Sequence, residues 1–274
     1  MEDIDLPRVV PGAEARQLDD LRWLGLDWDE GPDVGGPSAP YRQSERTARY
    51  EAALEVLARR DLLYWCDCSR AEIARVASAP HPGDEGPRYP GTCREHGLQQ
   101  RSWKRPPALR LRVPSGEITV DDALHGRMVE DVSSAVGDFV LRRGDGVFAY
   151  QLAVVVDDLA MGVTEVVRGA DLLSSTPRQV LLAELLGGTP PRYVHVPLVV
   201  GSDGARLAKR DGGVTLREHR VAGIAPGRLV EALARLLGLV PAPSAAAMVP
   251  GFDRAALAGR TTVRLPAGGV LAGT

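Results

Sequence analysis

The chain has 274 residues, enough to bury a sizeable core in one large domain or two smaller ones. Its content of 44% hydrophobic and 25% charged residues is ordinary for a globular protein, and the net charge of −3 gives no overall argument for nucleic-acid binding. No apolar run has membrane-spanning length, and the first residues lack the regions of a signal peptide. We therefore expect a cytoplasmic protein without a membrane segment.

The N-terminal part of the chain predicts two helices. Residues 1–8 resemble the acidic exit of a strand, and Pro11 then opens a helix over 13–24. A longer helix is predicted over 46–60. Its apolar residues have helical spacing, so we expect them to face the core. They are Tyr50, Ala53, Leu54, Leu57 and Ala58.

The three cysteines of the chain, Cys66, Cys68 and Cys93, lie close together in the sequence. In a reducing compartment, such a cluster favours metal ligation over disulfides. Zinc prefers four tetrahedral ligands, and two cysteines separated by one residue on a tight turn can both point inward. The spacing leaves the fourth ligand open among Tyr89, His81 and His96. The alternative is that the three cysteines are buried or free.

The middle of the chain predicts a mixed sheet. Short strands are predicted over 62–68, 109–113, 117–120, 139–143, 147–156 and 164–167. A Pro-Ser-Gly turn would join the second of these to the third, and the turn Gly144-Asp145-Gly146 would join the fourth and the fifth into a hairpin. The pattern predicts an α/β core that carries an inserted, partly antiparallel subdomain.

Polar residues lie within or just after the last two of these strands. They are Tyr150, Asp157, Asp158, Arg168 and Asp171. Because ligands of parallel sheets bind at the carboxyl ends of the strands, these residues are the first candidates for a site. Taken alone, each of them is better explained as a helix cap or a loop charge.

The C-terminal part predicts a helix up to residue 186, a strand over 193–199 and a helix over Pro226–Leu237. A basic, glycine-flanked loop precedes the last helix and contains Arg206, Leu207, Ala208, Lys209 and Arg210. Lys209 is one of only two lysines in the chain, and such a loop is suited to gripping a polyphosphate. A solvated charge cluster is the alternative. An Ala/Pro-rich linker over 241–247 leads into a weakly patterned tail.

A series of motifs follows in order: MEDIDLPR, LRWLGLDWDEG, YRQSER, YWCDCSR, YPGTC, DFVLRRGDGVFAYQLAVVVDD, GVTEVVRGADLL and YVHVPLVVGSDGARLAKRDGG. With these motifs, the chain resembles the glutamyl-Q tRNA(Asp) synthetases over about residues 1–239. They are short paralogues of the catalytic domain of glutamate–tRNA ligases, with a class I synthetase fold. The resemblance implies a Rossmann-like core (1–60 and 133–220), an inserted zinc-bearing α/β subdomain (61–132), a C-terminal helix (221–240) and a linker with tail (241–274).

Residue roles follow from the same resemblance. Glu2 corresponds to the acidic residue that meets the amino group of glutamate, and Tyr150 and Arg168 correspond to the other two glutamate-binding residues. Arg168 can pair with a carboxylate through two parallel hydrogen bonds. The loop over 206–210 stands where the family has its KMSKS loop, and Lys209 corresponds to the ATP-contacting lysine, whereas the arginines of the loop depart from the motif.

The metal site and the reaction are implied in the same way. The C-x-C…Y-x-x-x-C spacing is a family trait, so the resemblance makes Tyr89 the fourth ligand beside Cys66, Cys68 and Cys93, in a structural zinc site. Glutamate would attack the α-phosphate of ATP, assisted by Mg²⁺, and the glutamyl group would pass to the queuosine base of tRNA(Asp). No side chain need act as a nucleophile. We expect a monomer.

The chain departs from the family at its start. Family members begin with a strand, a glycine-rich turn and a HIGH-type signature that holds the ATP phosphates, and none of these precedes Met1. We therefore expect the first strand and helix to be missing, with poor activity and low stability. Two alternatives remain: a fragment of a glutamate–tRNA ligase, and a non-catalytic zinc-containing module that binds RNA or protein.

Overall fold

The computed structural model describes residues 1–76, 88–205, 207 and 215–271. In these ranges the helices are α1 (Ala13–Trp23), α2 (Thr47–Arg59), α3 (Arg70–Val76), α4 (Val132–Ala135), α5 (Tyr150–Met161), α6 (Thr176–Leu185), α7 (Leu216–Val221), α8 (Pro226–Leu237) and α9 (Ala245–Met248). The strands are β1 (Leu63–Cys66), β2 (Ala108–Leu111), β3 (Glu117–Asp122), β4 (Gly126–Asp131), β5 (Val140–Arg142), β6 (Glu165–Gly169), β7 (Arg192–Val196), β8 (Leu198–Val200) and β9 (Thr262–Arg264). None of the described helices is long and apolar enough to span a bilayer.

The strands form three sheets in the described part of the chain. One is antiparallel with the order β1-β2-β5, and one is mixed with the order β4-β3-β7-β6, in which β7 runs parallel to both of its neighbours. The third sheet is the parallel pair β8-β9. The predicted α/β architecture with a partly antiparallel portion is therefore confirmed.

The main hydrophobic core joins helices to the antiparallel sheet. It contains the predicted face of α2, with Tyr50, Ala53, Leu54 and Leu57 all buried, which confirms that prediction except for the half-buried Ala58. Side chains of β1, β2, α4, β5, α5 and α6 also belong to the cluster. Because its members come from both sides of residue 61, the proposed inserted subdomain shares this core with the rest of the fold.

The predicted strand over 147–156 is wrong, because residues Tyr150–Met161 form helix α5. The apolar run pairs only through an isolated bridge at Phe148, and Gly162 ends the helix in the left-handed conformation (φ 66°). A continuous apolar run suits a buried helix as well as a buried strand. Here α5 is covered by other elements, and burial of Leu152, Val155 and Val156 outweighs the slight helix penalty of β-branched residues.

A second correction concerns strand pairing. The predicted strands over 109–113 and 117–120 exist as β2 and β3, but they lie in different sheets, and β3 forms its hairpin with the unpredicted β4. The linker and tail, in which no element was predicted, contain α9 and β9. Strand β9 pairs with β8, and Leu257 packs against Leu124 and Val194.

Candidate active site

Arg168 lies in β6 and is oriented by the strand beside it. In the parallel register of the sheet, Arg168 is the partner of His195 in β7, so the two side chains are neighbours on the same face. Arg168 Nε donates to His195 Nε2 at 3.0 Å, and Nη2 donates to Thr176 Oγ1 at 2.9 Å. Among the described residues, Nη1 has no hydrogen-bond partner, so its N–H groups remain available for an acceptor.

His195 is in turn held by Asp122, and both side chains are completely buried. Asp122 ends β3, where it is the register partner of Tyr193, which lies two residues before His195 on the same face of β7. Its Oδ2 lies 2.7 Å from His195 Nδ1 and accepts from the His195 backbone N–H at 3.1 Å, while Oδ1 accepts from the backbone N–H groups of Leu124 and His125. The carboxylate thus has four hydrogen bonds.

These contacts fix the protonation of the pair. Burial lowers the pKa of His195, and the charge of Arg168 adds to this effect although the hydrogen bond to Asp122 opposes it. Burial would raise the pKa of Asp122, but its hydrogen bonds to His195 and to the backbone bring that pKa below its usual value. His195 is therefore a neutral imidazole with its proton on Nδ1, which leaves Nε2 as an acceptor for Arg168.

Two tyrosines and an aspartate surround the Arg168 guanidinium. Burial raises the pKa of Tyr150, at the start of α5, and that of Tyr193 to about 12, so both phenols are neutral at pH 7. The Arg168 guanidinium carbon lies 5.2 Å from the centre of the Tyr193 ring. Burial raises the pKa of Asp158 to about 6, against the opposing charge of Arg168. The site therefore combines one fixed cation with groups whose charges depend on pH.

Glu2 belongs to the same neighbourhood. It is exposed, and its charge contributes to the raised pKa values of both Tyr150 and Asp158. The segment around Glu2 is held by the start of the 3-10 helix Gln43–Glu45. Asp3 accepts from Ser44 Oγ at 2.6 Å, and Gln43 N donates to Met1 O at 3.0 Å. Three predicted glutamate-binding residues thus lie near one another, although they come from distant parts of the sequence.

Asp157 and Asp171 do not face this site. Asp157 is buried in α5, where its carboxylate accepts from Arg46 Nε at 2.6 Å, from Tyr50 Oη at 3.0 Å and from Gln43 Nε2 at 3.2 Å. It therefore anchors α5 to α2 and to the preceding loop. Asp171 is exposed in the 3-10 helix Ala170–Ser175. Of the first polar candidates, Tyr150, Asp158 and Arg168 are those that the fold brings together.

The predicted ATP-binding loop is largely outside the described residues. Lys209, together with Arg206, Ala208 and Arg210, lies there, and of the predicted loop only Leu207 is described; its side chain is exposed.

The predicted metal ligands converge in three dimensions. The Sγ atoms of Cys66, Cys68 and Cys93 all lie within 4.8 Å of one another, and the Cys68–Cys93 separation is 3.6 Å. Tyr89 Oη lies 3.3 Å from Cys66 Sγ and 3.8 Å from Cys68 Sγ. Tetrahedral zinc with bonds of 2.3 Å separates its sulfur ligands by about 3.8 Å, so these four atoms fit such an ion. His96 is not in the group, and His81 lies outside the described residues.

Arginines offset the negative charge that these four donors carry when they bind a metal. The guanidinium carbon of Arg110 lies 3.9 Å from the centre of the Tyr89 ring, and Arg101 Nη2 lies 3.4 Å from Cys93 Sγ. Burial would raise the pKa of the Cys66 thiol, but the Tyr89 hydroxyl and the charge of Arg110 bring it below its usual value. Burial raises the pKa of Cys68 to about 12. The thiols are therefore unequal before a metal binds.

Sequence analysis missed Asp122 and His195 as site residues. A histidine in an apolar strand needs a buried hydrogen-bond partner, and an aspartate at a strand end can supply one. That signal was present in the sequence, but the pairing of β3 with β7 was not evident from it.

Comparison with known proteins places this geometry in a family. Residues 1–248 match the family model of the class I tRNA synthetases (E and Q), catalytic domain. The chain is 54% identical over 245 residues to the glutamyl-Q tRNA(Asp) synthetase of Nitratidesulfovibrio vulgaris, covering 88% of this chain and 76% of that protein. It is 50% identical over 275 residues to the enzyme of the same name from Symbiobacterium thermophilum, covering 97% and 84%.

A solved structure agrees with these sequence matches. The glutamate–tRNA synthetase of Elizabethkingia anophelis aligns over 98% of this chain with a TM-score of 0.79 and 26% identity, and this chain spans 61% of that protein's length. The expected class I α/β fold is thereby confirmed. From the family model and the two curated relatives, the chain belongs to the glutamyl-Q tRNA(Asp) synthetase family of class I tRNA synthetases and is an enzyme of the ligase type.

Proposed function

We propose that this protein activates glutamate with ATP and transfers the glutamyl group to the queuosine base of tRNA(Asp). The observation that carries the proposal is Arg168, which is held at Nε and Nη2 while Nη1 has no partner among the described residues. An oriented guanidinium with free N–H groups is a receptor for a carboxylate. The names of the two curated relatives support the choice of glutamate and of tRNA(Asp).

Glutamate would bind with its side-chain carboxylate on Arg168, because its α-carboxylate must be free to reach the phosphorus of ATP. Glu2 would receive the α-ammonium group, and Tyr150 would line the site between them. This arrangement selects glutamate over glutamine, since a neutral amide gains less from a fixed cation.

The reaction would need positioning and charge stabilisation rather than a protein nucleophile. An oxygen of the α-carboxylate attacks the α-phosphorus of ATP, and the bond to pyrophosphate breaks. A nucleophilic group of the queuosine base then attacks the acyl carbon, and AMP leaves. Lys209 and Mg²⁺ would balance the phosphate charge during the first step.

We further propose that Cys66, Cys68, Tyr89 and Cys93 hold one structural zinc ion. Four protein donors leave no open position for a substrate. The ion would fix the turn after β1 to the segment that contains Tyr89 and Cys93. The argument is the mutual approach of three sulfur atoms and one phenol oxygen.

The first experiment is glutamate-dependent exchange of pyrophosphate into ATP without tRNA, with this chain and with a version extended upstream. Arg168→Lys should raise the KM for glutamate by roughly tenfold or more, since lysine cannot reproduce the held guanidinium. Arg192→Lys is the matched control, because Arg192 starts the neighbouring strand with a side chain 79% exposed. Glutamate-independent exchange, or none in either version, would contradict the proposal.

Transfer is tested with two forms of tRNA(Asp), one carrying queuosine and one with the unmodified guanosine. We expect radiolabelled glutamate to become bound only to the modified form, and equally well when the 3′-terminal adenosine of that tRNA has been removed. Transfer to the 3′ end of tRNA(Glu) would instead indicate glutamate–tRNA ligase activity. Binding of tRNA without any transfer would favour the non-catalytic module.

A further inference from the structure

The Arg168 guanidinium is not positioned by its own strand alone. Its Nε–H points along the sheet to His195, which sits at the matching position of β7, and His195 points on to Asp122 at the end of β3. The three side chains thus form one line of hydrogen bonds across three adjacent strands. The side chains of Asp122 and His195 are 0% exposed, whereas Arg168, at the other end of the line, is partly exposed.

We propose that Asp122 and His195 are positioning residues that set the glutamate affinity of this enzyme through Arg168. This inference rests on the proposed function and adds two residues to it. Asp122 accepts the Nδ1 proton and so places the lone pair of the neutral imidazole on Nε2. That lone pair accepts from Arg168 Nε, and Thr176 Oγ1 accepts from Nη2, so the guanidinium is fixed in its plane. With Nε and Nη2 engaged, Nη1 is the part of the guanidinium directed to the substrate.

We call the hydrogen-bonded line of Arg168, His195 and Asp122 the relay. Its function depends on which atom donates and which accepts at each contact. Arginine has donors and no acceptor, so the group that holds Nε–H must be an acceptor. A histidine with its proton on Nε2, or with two protons, would repel the guanidinium. The contact with Asp122 Oδ2 requires a donor at Nδ1 and so excludes the form whose only proton is on Nε2. The form with two protons is excluded from the other side, because Arg168 Nε–H is directed at Nε2 and because burial and the charge of Arg168 lower the pKa of His195.

Two variants of the same histidine separate positioning from simple stability. Asparagine at position 195 can place its amide nitrogen near Nδ1, so it keeps the donor to Asp122 but loses the acceptor for Arg168. Glutamine is longer, and its amide oxygen can reach the place of Nε2, so it restores the acceptor at the expense of the Asp122 contact. Positioning therefore predicts that His195→Asn harms glutamate binding more than His195→Gln does, and a purely structural role predicts the reverse order.

Kinetics of pyrophosphate exchange give the first readout. We expect His195→Asn to raise the KM for glutamate by about tenfold or more, the effect of one hydrogen bond to a charged group, while the KM for ATP stays within about twofold. The control is Asp138→Asn, which changes an equally buried carboxylate that accepts from Tyr64, Arg94 and the Val113 backbone and does not contact Arg168. An unchanged glutamate KM in folded His195→Asn, or the reverse order of the two variants, would overturn the proposal.

Nuclear magnetic resonance of protein with ¹⁵N-labelled histidine and arginine gives a readout that does not need activity. In the wild type at pH 7.5 we expect the His195 proton on Nδ1 and a displaced Arg168 Nε–H signal that is lost in His195→Asn. A proton on Nε2 would overturn the relay even in an active enzyme. If the wild type shows no glutamate-dependent exchange, the proposed function fails, and the position of this proton alone decides whether the relay exists.

Discussion

At the scale of single residues, the candidate site depends on charges that are set by burial. His195 is neutral because burial lowers its pKa, whereas burial raises the pKa of Asp158 to about 6. Both groups face Arg168, and His195 also faces Asp122 from β3, His125 from the turn after β3, Tyr193 from β7 and Thr176 from α6. Acidification therefore changes the stability of the folded protein in opposite directions through these two groups.

The free energy of unfolding should therefore depend on pH through both His195 and Asp158. The folded pKa of His195 lies below its unfolded value of 6.5, so its contribution is present above about pH 6.5 and is lost as the pH falls. The folded pKa of Asp158 lies above its unfolded value of 3.8, so its contribution is present at low pH and is lost as the pH rises through about 6. The two effects oppose each other between about pH 4 and 6.5.

Urea denaturation of the wild type, His195→Asn and Asp158→Asn between about pH 5 and 8 separates the contributions of His195 and Asp158 to the free energy of unfolding. The difference between wild type and His195→Asn should shrink on acidification, and the difference between wild type and Asp158→Asn should shrink on alkalinisation. Parallel pH profiles for all three proteins would contradict the assigned protonation states.

The proposed zinc ligands allow a test that changes a single oxygen atom. Tyr89→Phe removes the phenol oxygen near Cys66 and should weaken zinc binding by roughly 100-fold or more, since even residues outside the ligand set commonly contribute 10- to 100-fold. Tyr64→Phe is the matched control, because that hydroxyl bonds to Asp138 at 2.7 Å.

Zinc is measured by elemental analysis and by competition with a chromogenic chelator. We expect one zinc per chain in the wild type and in Tyr64→Phe. Equal zinc affinity of Tyr89→Phe and the wild type would exclude Tyr89 as a ligand. The fourth ligand would then be a histidine or a water molecule.

At the scale of elements, helix α5 supports the site by positioning two of its residues. It places Tyr150 in its first turn and Asp158 near its end, and it is fixed by the buried pair of Asp157 and Arg46. Arg46 is 1% exposed at its side chain, and it also donates through Nη1 to the carbonyl groups of Ser38 and Pro40. The loop before α2 and the helix α5 therefore hold each other in place.

Asp157→Ala should lower the free energy of unfolding by about 3–5 kcal/mol, because it leaves Arg46 buried without its counter-charge. The matched control is Glu55→Ala, which breaks the exposed pair of Glu55 with Arg59 on α2 and should cost roughly 0–0.5 kcal/mol. Urea denaturation measures both values. A loss below about 1 kcal/mol in Asp157→Ala would mean that water replaces the carboxylate.

Helix α5 also shows how far the sequence alone predicts this protein. Helices with a clear apolar stripe, such as α2 and α8, were predicted nearly to their ends, because the helical period is visible in the residues themselves. In α5 the apolar residues cover most of the helix, so the period is hidden and the Val154–Val156 run favoured a strand. Tyr150, Asp158 and Arg168 were suggested by their places in or after predicted strands, and Glu2 came from motif resemblance. Asp122 and His195 depend on the pairing of distant strands, which no local pattern encodes.

At the scale of the whole molecule, the C-terminal segment completes the fold around the site. Strand β8 follows directly after β7, which carries His195, and β9 pairs with β8 through the register partners Val199 and Val263. Leu257 is 3% exposed and packs with Leu124, which lies in the turn that follows Asp122, and with Val194 beside His195. Gly259 N also donates to Leu124 O at 2.7 Å. The tail thus supports the backbone that positions the relay.

Leu257→Ala should therefore lower the free energy of unfolding by about 2–5 kcal/mol, the usual cost of removing a large buried side chain. The control is Val249→Ala in the same segment, where the side chain is 72% exposed and the expected cost is within about 0.5 kcal/mol. Because Leu257 touches the turn at Asp122, a folded Leu257→Ala protein should also show a higher KM for glutamate with little change in the KM for ATP. A tail that only covers the surface would lose stability without this selective change, and urea denaturation together with pyrophosphate exchange distinguishes the two cases.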